Sequence, residues 1–450
     1  MSQRTLSVPA KLTYGLGESS LVTSMMALST VYAYFLLEEG GLRPLLAGLV
    51  PLVGRAVDAA TDPLMGRLSD RLRWKSGRRR PFFLLGAVPY GLSFLLLWAD
   101  PPFVGQAARF AYYAGAYCFF SLSLTVLYVP YLAIQPEMAR DYDERTSLNA
   151  YRSMVGILGM AAAIAMRSVA EALGGGQADF FSAAAIYSVL LMLPWLAVYK
   201  VTFEPPLPPE IPNPASLRDG IGEVARHASF RWLCAIFLLG RMGLDIVGAM
   251  FILYAKHWLG RVGDFEIVMS LFCLGILVSY PLAVRLARGR EKARLYTVAA
   301  TFWAITGCGM WFVQPEWPRW VFFLLVPVIT PGFAMVDLMP WSMVGEVADE
   351  GELESGERRD GLYNGVLSFV RKLGGALGLA MVFAVLDFLG FSEGREVQTE
   401  TARQAVRAMT AFAPGVVLLL GAWLAWHYPL DRARHQEIER GLEARRRAQE

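Results

Sequence analysis

Charge is scarce in this 450-residue sequence: Asp, Glu, Lys and Arg make up 18% of it, where a soluble domain carries about a quarter. The shortage is patterned. Apolar stretches of about 20 residues recur from one end to the other, each long enough to cross a hydrocarbon core of roughly 30 Å. With 55% hydrophobic residues and a mean hydropathy of +0.39, hydropathy overrides the roughly three soluble domains that length alone would suggest. Cysteine is nearly absent as well. Cys118, Cys234, Cys273 and Cys308 stand singly inside apolar runs, with no CxxC and no Cys/His pairing, so neither a disulfide framework nor zinc is suggested. His227, His257, His427 and His435 fall at loops and helix ends, the pattern of interfacial residues more than of metal ligands. No Ser/His/Asp or HExxH arrangement exists, so no enzyme and no cofactor is expected. Gly174-Gly175-Gly176 follows no strand, which rules out a phosphate-cradling loop. The net charge of +3 is too small to point to nucleic acid. Residues Met1 to Pro9 lack the succession of charged region, apolar core and cleavage site of a signal peptide and read as a short cytoplasmic tail.

What is present is a series of membrane helices. Apolar windows predict them near 12–37, 44–67, 80–99, 105–137, 148–170 and 180–202, then near 230–258, 264–287, 294–313, 319–346, 361–390 and 403–428. Between the sets lie Pro205, Pro206, Pro208, Pro209, Pro212 and Pro214, a density that cannot continue a helix and reads as a stiff connector. The expected organisation is a six-helix bundle over 1–202, a linker over 203–229, a second bundle over 230–430 and a tail over 431–450. Lysine and arginine placement sets the orientation. Arg71, Arg73, Lys75, Arg78, Arg79 and Arg80 follow the second helix, Arg288, Arg290, Lys292 and Arg294 follow the eighth, and Arg445, Arg446 and Arg447 close the tail. All fall on one side if both termini are cytoplasmic. A multi-pass protein of the cell inner membrane, with the lipid bilayer as its partner, is expected.

The two sets echo each other. The fourth helix ends Val129-Pro130-Tyr131, then Pro136-Glu137-Met138 and an acidic loop (Asp141, Asp143, Glu144); the tenth ends Met339-Pro340-Trp341, then Gly345-Glu346-Val347 and an acidic loop (Asp349, Glu350, Glu352). Corresponding punctuation of this kind marks structural repeats.

Several charges lie at membrane depth. In the second helix Asp58 and Asp62 are four residues apart, so both carboxylates lie on one face. At about 1.5 Å per residue they sit roughly 18 Å and 12 Å from Asp70 near the cytoplasmic end. An ionised carboxylate there costs several kcal/mol unless it meets a cation, a partner or water. A bound sodium ion or a proton removes that cost; so does a structural ion pair, for instance with Arg55 or Arg152. Arg152 in the fifth helix, Lys372 in the eleventh, Glu18 in the first and Asp337 in the tenth join this set. Arg241 and Asp245, also four apart, read as a neutralising intrahelical pair. Thr125 offers a hydroxyl, although a lone threonine in a membrane helix usually bonds its own backbone. Gly156-Ile-Leu-Gly159 and Gly374-Gly375-Ala-Leu-Gly378 are small enough to let helices approach closely.

Four segments carry a resemblance to a known family: Asp58-Ala-Ala-Thr61-Asp62-Pro63-Leu-Met-Gly66 running into Asp70-Arg71 and Gly77 to Pro81; Val129-Pro130-Tyr131 with Pro136-Glu137 and Asp141 to Thr146; Tyr151-Arg152; and Gly356 to Tyr363 continuing to Lys372 and Gly378. In these the chain resembles the glycoside–pentoside–hexuronide cation symporters of the major facilitator superfamily. The resemblance implies an all-α membrane protein with the major facilitator fold, twelve transmembrane helices in two pseudosymmetric six-helix bundles. It implies that Asp58 and Asp62, with Thr125, bind a coupling ion, Na+ or H+. It places Arg152 and Lys372 at the substrate and makes Asp70, Arg71, Arg78, Arg79 and Arg80 a cytoplasmic gate. The galactoside half of the pattern is changed. Gly17-Glu18-Ser19 stands where the melibiose carrier has its sugar-binding aspartate, and Tyr128 and Leu132 replace an aspartate and a tryptophan of its fourth helix. Glu18, Tyr128 and Asp337 complete the expected substrate set. Met339 to Met343 is similar to the related lysophospholipid carriers. Cation-coupled symport of a sugar or glycoside-like small molecule by a monomer, through alternating access, is therefore expected. A lysophospholipid or other amphiphile is the alternative solute, and a non-transporting receptor or scaffold the remaining one.

Overall fold

The apolar windows fold as helices in the computed structural model of the chain, which describes residues 6–72, 74, 76–102, 104–139, 142–174, 179–204, 226–287, 290–355, 360–395 and 397–449. Most of the Pro-rich connector lies outside the described residues. In the first half the helices are α1 (Val8–Thr30), α2 (Tyr32–Glu38), α3 (Pro44–Arg71), α4 (Arg80–Leu97), α5 (Gln106–Met138), α6 (Tyr142–Leu173) and α7 (Phe180–Val201). In the second they are α8 (Ala228–Leu253), α9 (Phe265–Ala287), α10 (Lys292–Cys308), α11 (Arg319–Ser355), α12 (Asp360–Phe388), α13 (Glu400–Trp426) and α14 (Arg432–Gln449). Among the described residues eleven helices are long and apolar enough to cross a membrane, or twelve when α1 and α2 are taken as one span.

That first span bends by 43° between α1 and α2. The cause is local: Ser29 and Thr30 both turn their hydroxyls back onto the Met26 carbonyl, at 3.1 and 2.7 Å, and such back-bonding bends helices. Ser7, Asp179 and Thr399 cap α1, α7 and α13 by accepting backbone N–H bonds, as short polar side chains do at helix starts. Prolines 51, 63, 89, 194, 281, 327, 331, 340 and 414 sit inside the helices, which membrane helices tolerate.

The chain divides into two compact units, Met1–Glu210 with Ser392–Glu396, and Ile211–Phe391 with Val397–Glu450. Each has large apolar side chains facing outward. Leu85, Val88, Leu92 and Leu96 of α4 are exposed, as are Ile267, Leu274, Leu277 and Val278 of α9. Stripes of that length would be an aggregation liability in water; in hydrocarbon they are the solvated face.

Glycines set the closest helix contacts. A Cβ at Gly159 of α6 would strike the Ser19 carbonyl of α1. One at Gly374 would lie 2.8 Å from the Leu238 carbonyl, one at Gly378 3.0 Å from that of Met242, and one at Gly375 would strike the Asp245 carboxylate. Both small-residue patches are thus points where backbones nearly touch.

Three segments differ from the sequence expectation. The acidic stretch after the tenth span is helical to Ser355, because Asp349 and Glu350 find partners in α14. His435 lies 3.1 Å from Asp349, and Arg434 lies 3.0 Å from Glu350. The segment read as a tail is that α14, whose Ile438 and Leu442 are buried in the second unit's apolar cluster. Likewise Glu144, read as part of an acidic loop, lies inside α6 and pairs with Lys11 at 3.1 Å.

Candidate functional site

In the first unit, α3 presents the two aspartates and α5 runs alongside. Asp58 is 1% exposed, and the Arg55 guanidinium meets its carboxylate at 2.8 Å, one turn away on the same helix. This is the ion pair that the sequence reading held open as an alternative to a cation. Asp62, one turn further on, accepts a 2.6 Å hydrogen bond from the Thr125 hydroxyl of α5. Thr125 therefore departs from the usual threonine habit of bonding its own helix. Thr61 keeps that habit, donating to the Val57 carbonyl at 2.9 Å. Pro63 follows Asp62 and supplies no N–H to the Ala59 carbonyl. One main-chain oxygen is thus left without its helical donor in the turn between the aspartates.

Glu18 and Arg152 come together between α1 and α6, with Nε to Oε2 at 3.4 Å. Arg152 also donates to Gln135 of α5 at 2.7 Å, and Gln135 donates to Asn149 at 2.6 Å. Gln135 and Asn149 carry no charge and lie in no motif, so nothing in the sequence singled them out. Below them Tyr14 and Tyr131 exchange hydrogen bonds, each hydroxyl donating to the other's carbonyl at 2.6 and 2.9 Å, with rings stacked 4.5 Å apart. Gly17 makes room for that ring: a Cβ there would lie 2.9 Å from Tyr131. Tyr128 sits on α5, half-buried, one turn after Thr125.

The second unit holds its own half-buried charges. Arg241 grips Asp245 with two bonds, at 2.6 and 3.1 Å, and reaches Asp337 at 3.5 Å. Tyr280 donates to the other oxygen of Asp337 at 2.8 Å. The Arg241–Asp245 pair is the intrahelical one read from the sequence, and Asp337 joins it. Lys372 lies on α12, half-buried, two residues before the Gly374 contact.

The basic stretch before α4 is held in place. Arg78 and Arg79 both pair with Glu137 at the end of α5, Arg79 at 2.5 Å, and Arg79 also donates to the Ala133 carbonyl at 2.7 Å. Glu204, just after α7, accepts the backbone N–H groups of Arg78, Arg79 and Arg80 at 2.9, 2.8 and 3.0 Å. A carboxylate on three N–H groups at a helix start is favoured by both hydrogen bonding and the helix dipole. Arg80 lies over the Tyr199 ring and donates to its carbonyl at 2.9 Å. Gly77 has φ +112° and a Cβ there would lie 2.8 Å from Glu204, so the turn requires glycine. The side chains of Asp70 and Arg71 fall outside the described residues.

The second unit repeats the arrangement. Lys292, the first residue of α10, pairs with Glu346 at 2.7 Å and donates to the Ser342 carbonyl at 2.7 Å. In both units a basic residue at the start of the third helix reaches a carbonyl and the glutamate four residues later.

Membrane-length helices in two units, each with carboxylates and guanidinium groups sunk among them, define a polytopic membrane transporter. The chain belongs to the family described as MFS/sugar transport protein, whose profile it matches over residues 13–432. YagG of Escherichia coli, named as a candidate glycoside/cation symporter, is 28% identical over 99% of this chain and 96% of its own. The sodium-dependent lysophosphatidylcholine symporter 1-A of Danio rerio is 23% identical, covering 98% and 89%. Among solved structures, an inward-facing bacterial homologue of the human lysosomal transporter Spinster superposes with a TM-score of 0.69. It covers 93% of this chain and 95% of that one at 12% identity, a likeness of fold alone. The major facilitator fold expected from the sequence is the fold observed, and the protein is a multi-pass membrane transporter.

Proposed function

We propose that the protein is a secondary active symporter that couples Na+ or H+ to a sugar or glycoside-like solute. The observation that carries the reading is the Thr125–Asp62 hydrogen bond beside the Arg55–Asp58 ion pair. Hard monovalent cations take oxygen ligands, and Asp62, Thr125 and Asp58 offer them on two packed helices. With the site empty, Arg55 neutralises Asp58; with a cation bound, the cation takes over that task. Thr125 adds a neutral oxygen that Na+ uses and H+ does not require, which favours Na+. The names of the sodium-dependent relatives point the same way.

Glu18, Arg152, Gln135 and Asn149 form a chain of planar polar groups, the kind that hydrogen-bonds sugar hydroxyls. Tyr128, Asp337 and Lys372 complete the proposed substrate set. The two halves, 1–202 and 230–430, exchange access to the two sides of the membrane. Arg78 to Arg80 with Glu137 and Glu204, and Lys292 with Glu346, act as latches on the side taken as cytoplasmic, where both termini lie. Coupling requires only that cation and solute each raise the other's affinity. A lysophospholipid is the second solute class, favoured by the relatives named for it, which align over nearly the whole chain.

The test is uptake of mono- and disaccharides, uronides and lysophospholipids into proteoliposomes under imposed Na+ or H+ gradients. Uptake of a saccharide driven by one gradient supports the reading and names the ion. Uptake of lysophospholipid alone moves it to the second class, and gradient-independent uptake removes the coupling.

A further inference from the structure

His227, His435 and the acidic end of α11 gather three elements of the second unit at one place. His227 directly precedes α8 with extended backbone (φ −65°, ψ 117°). Glu350 and Glu354 lie one turn apart near the end of α11, and Arg434 comes from α14. The His227 Nε2 atom is 3.3 Å from Glu350 Oε2 and 3.7 Å from Glu354 Oε2. One nitrogen and two carboxylate oxygens lie within 4.8 Å of one another.

The two nitrogen–oxygen separations match those between ligands on one ion. Ligands about 2.1 Å from a tetrahedral zinc are separated by roughly 3.4 Å, between the two measured values. Glu350 supplies an independent sign. It is 4% exposed, and its Oε2 is buried 3.3 Å from the His227 Nε2 atom, with Ser229 beside it and no hydrogen bond of good geometry to that oxygen. Its other oxygen is fixed by Arg434 Nη2 at 3.0 Å and Nε at 3.2 Å. That clamp leaves Oε2 turned toward His227, as outer-shell partners orient metal ligands. Glu354, with 62% of its side chain exposed, gives an entry path and can adjust its oxygen to the ion.

We propose that His227, Glu350 and Glu354 form a site for a divalent transition-metal ion, Zn2+ foremost, with the fourth position open to water. One imidazole nitrogen with two carboxylate oxygens suits Zn2+ better than Mg2+ or Ca2+, which demand more oxygen ligands. Occupancy ties the start of α8 to the end of α11. Both lie in the second unit, so bound metal stiffens that unit internally. The binding itself does not depend on the transport reading.

The experiment uses the full chain in lipid nanodiscs, stripped with chelator and titrated with Zn2+ against a chromophoric chelator. One equivalent of tight binding is expected. It is lost in His227→Ala, weakened tenfold or more (~1.4 kcal/mol) in Glu354→Gln, and retained in His435→Ala. Glu354 is exposed, so its amide variant folds and serves as the control for damage by the histidine change. Absence of tight binding overturns the site. So does binding that survives both His227→Ala and Glu354→Gln, or binding lost only with His435.

Discussion

The Thr125 hydroxyl donates to the Asp62 carboxylate at 2.6 Å, joining α5 to α3 at membrane depth. A hydrogen bond to a charged acceptor contributes about 1.5–3 kcal/mol. If the same oxygen helps to hold the coupling ion, Thr125→Val raises the cation concentration for half-maximal uptake about tenfold or more. Thr125→Ser, which keeps the hydroxyl, stays near wild type. Cation-activation curves in proteoliposomes measure both.

The Arg55–Asp58 pair predicts a stability role for Arg55 and, under the proposed function, a competitive one. Removing the guanidinium 2.8 Å from the buried Asp58 costs about 3–5 kcal/mol, as for other broken buried pairs. Arg55→Leu is expected to lower Tm, and adding the coupling cation to recover part of the loss. Arg55→Leu combined with Asp58→Asn recovers most of it without cation. Thermal unfolding with and without Na+ distinguishes this from a general packing defect, which neither addition repairs.

The repeated ion pair, if it acts as the proposed latch, predicts repeated behaviour. Arg79→Glu and Glu137→Arg each break one pair, and Lys292→Glu and Glu346→Lys each break the other. Each single change is expected to cut uptake about tenfold or more, and each double reversal to restore a substantial part, since contacting residues couple. Glu137 pairs with two arginines, so recovery in the first unit is expected to be the smaller.

Two glycines give opposite signs for one substitution. Gly159→Ala pushes a methyl into the Ser19 backbone, which has nowhere to go, and costs about 1–3 kcal/mol. Gly115→Ala enters open space on the exposed face of α5 and is expected to be neutral or slightly stabilising. Unfolding midpoints of the two variants in the same detergent test this.

Much of this architecture is legible in the sequence, and the exceptions are instructive. The spans are set by hydropathy, which is additive along the chain, so α4, predicted at 80–99, is found at Arg80–Leu97. The bend after Thr30 depends on two hydroxyls choosing a carbonyl, a choice hydropathy does not record. The helical run from Glu346 to Ser355 depends on α14, whose contacting residues are 84 and 86 positions away. In the candidate site the paired aspartates announce themselves by being charged in an apolar run. Gln135, Asn149 and Glu204 do not: the first two are neutral, and Glu204 lies at the edge of the connector. His227 reads as an interfacial histidine in the sequence because Glu350 and Glu354 are more than a hundred residues away along the chain.

The most direct measurement is gradient-driven uptake by Asp62→Asn beside the wild type and Asp58→Asn, in proteoliposomes of matched protein content. The account predicts that wild-type uptake rises with an imposed cation gradient, and that in both variants uptake becomes independent of the gradient while the protein stays folded. Gradient-dependent uptake persisting unchanged in both variants would contradict it, and would make the carboxylates of α3 structural.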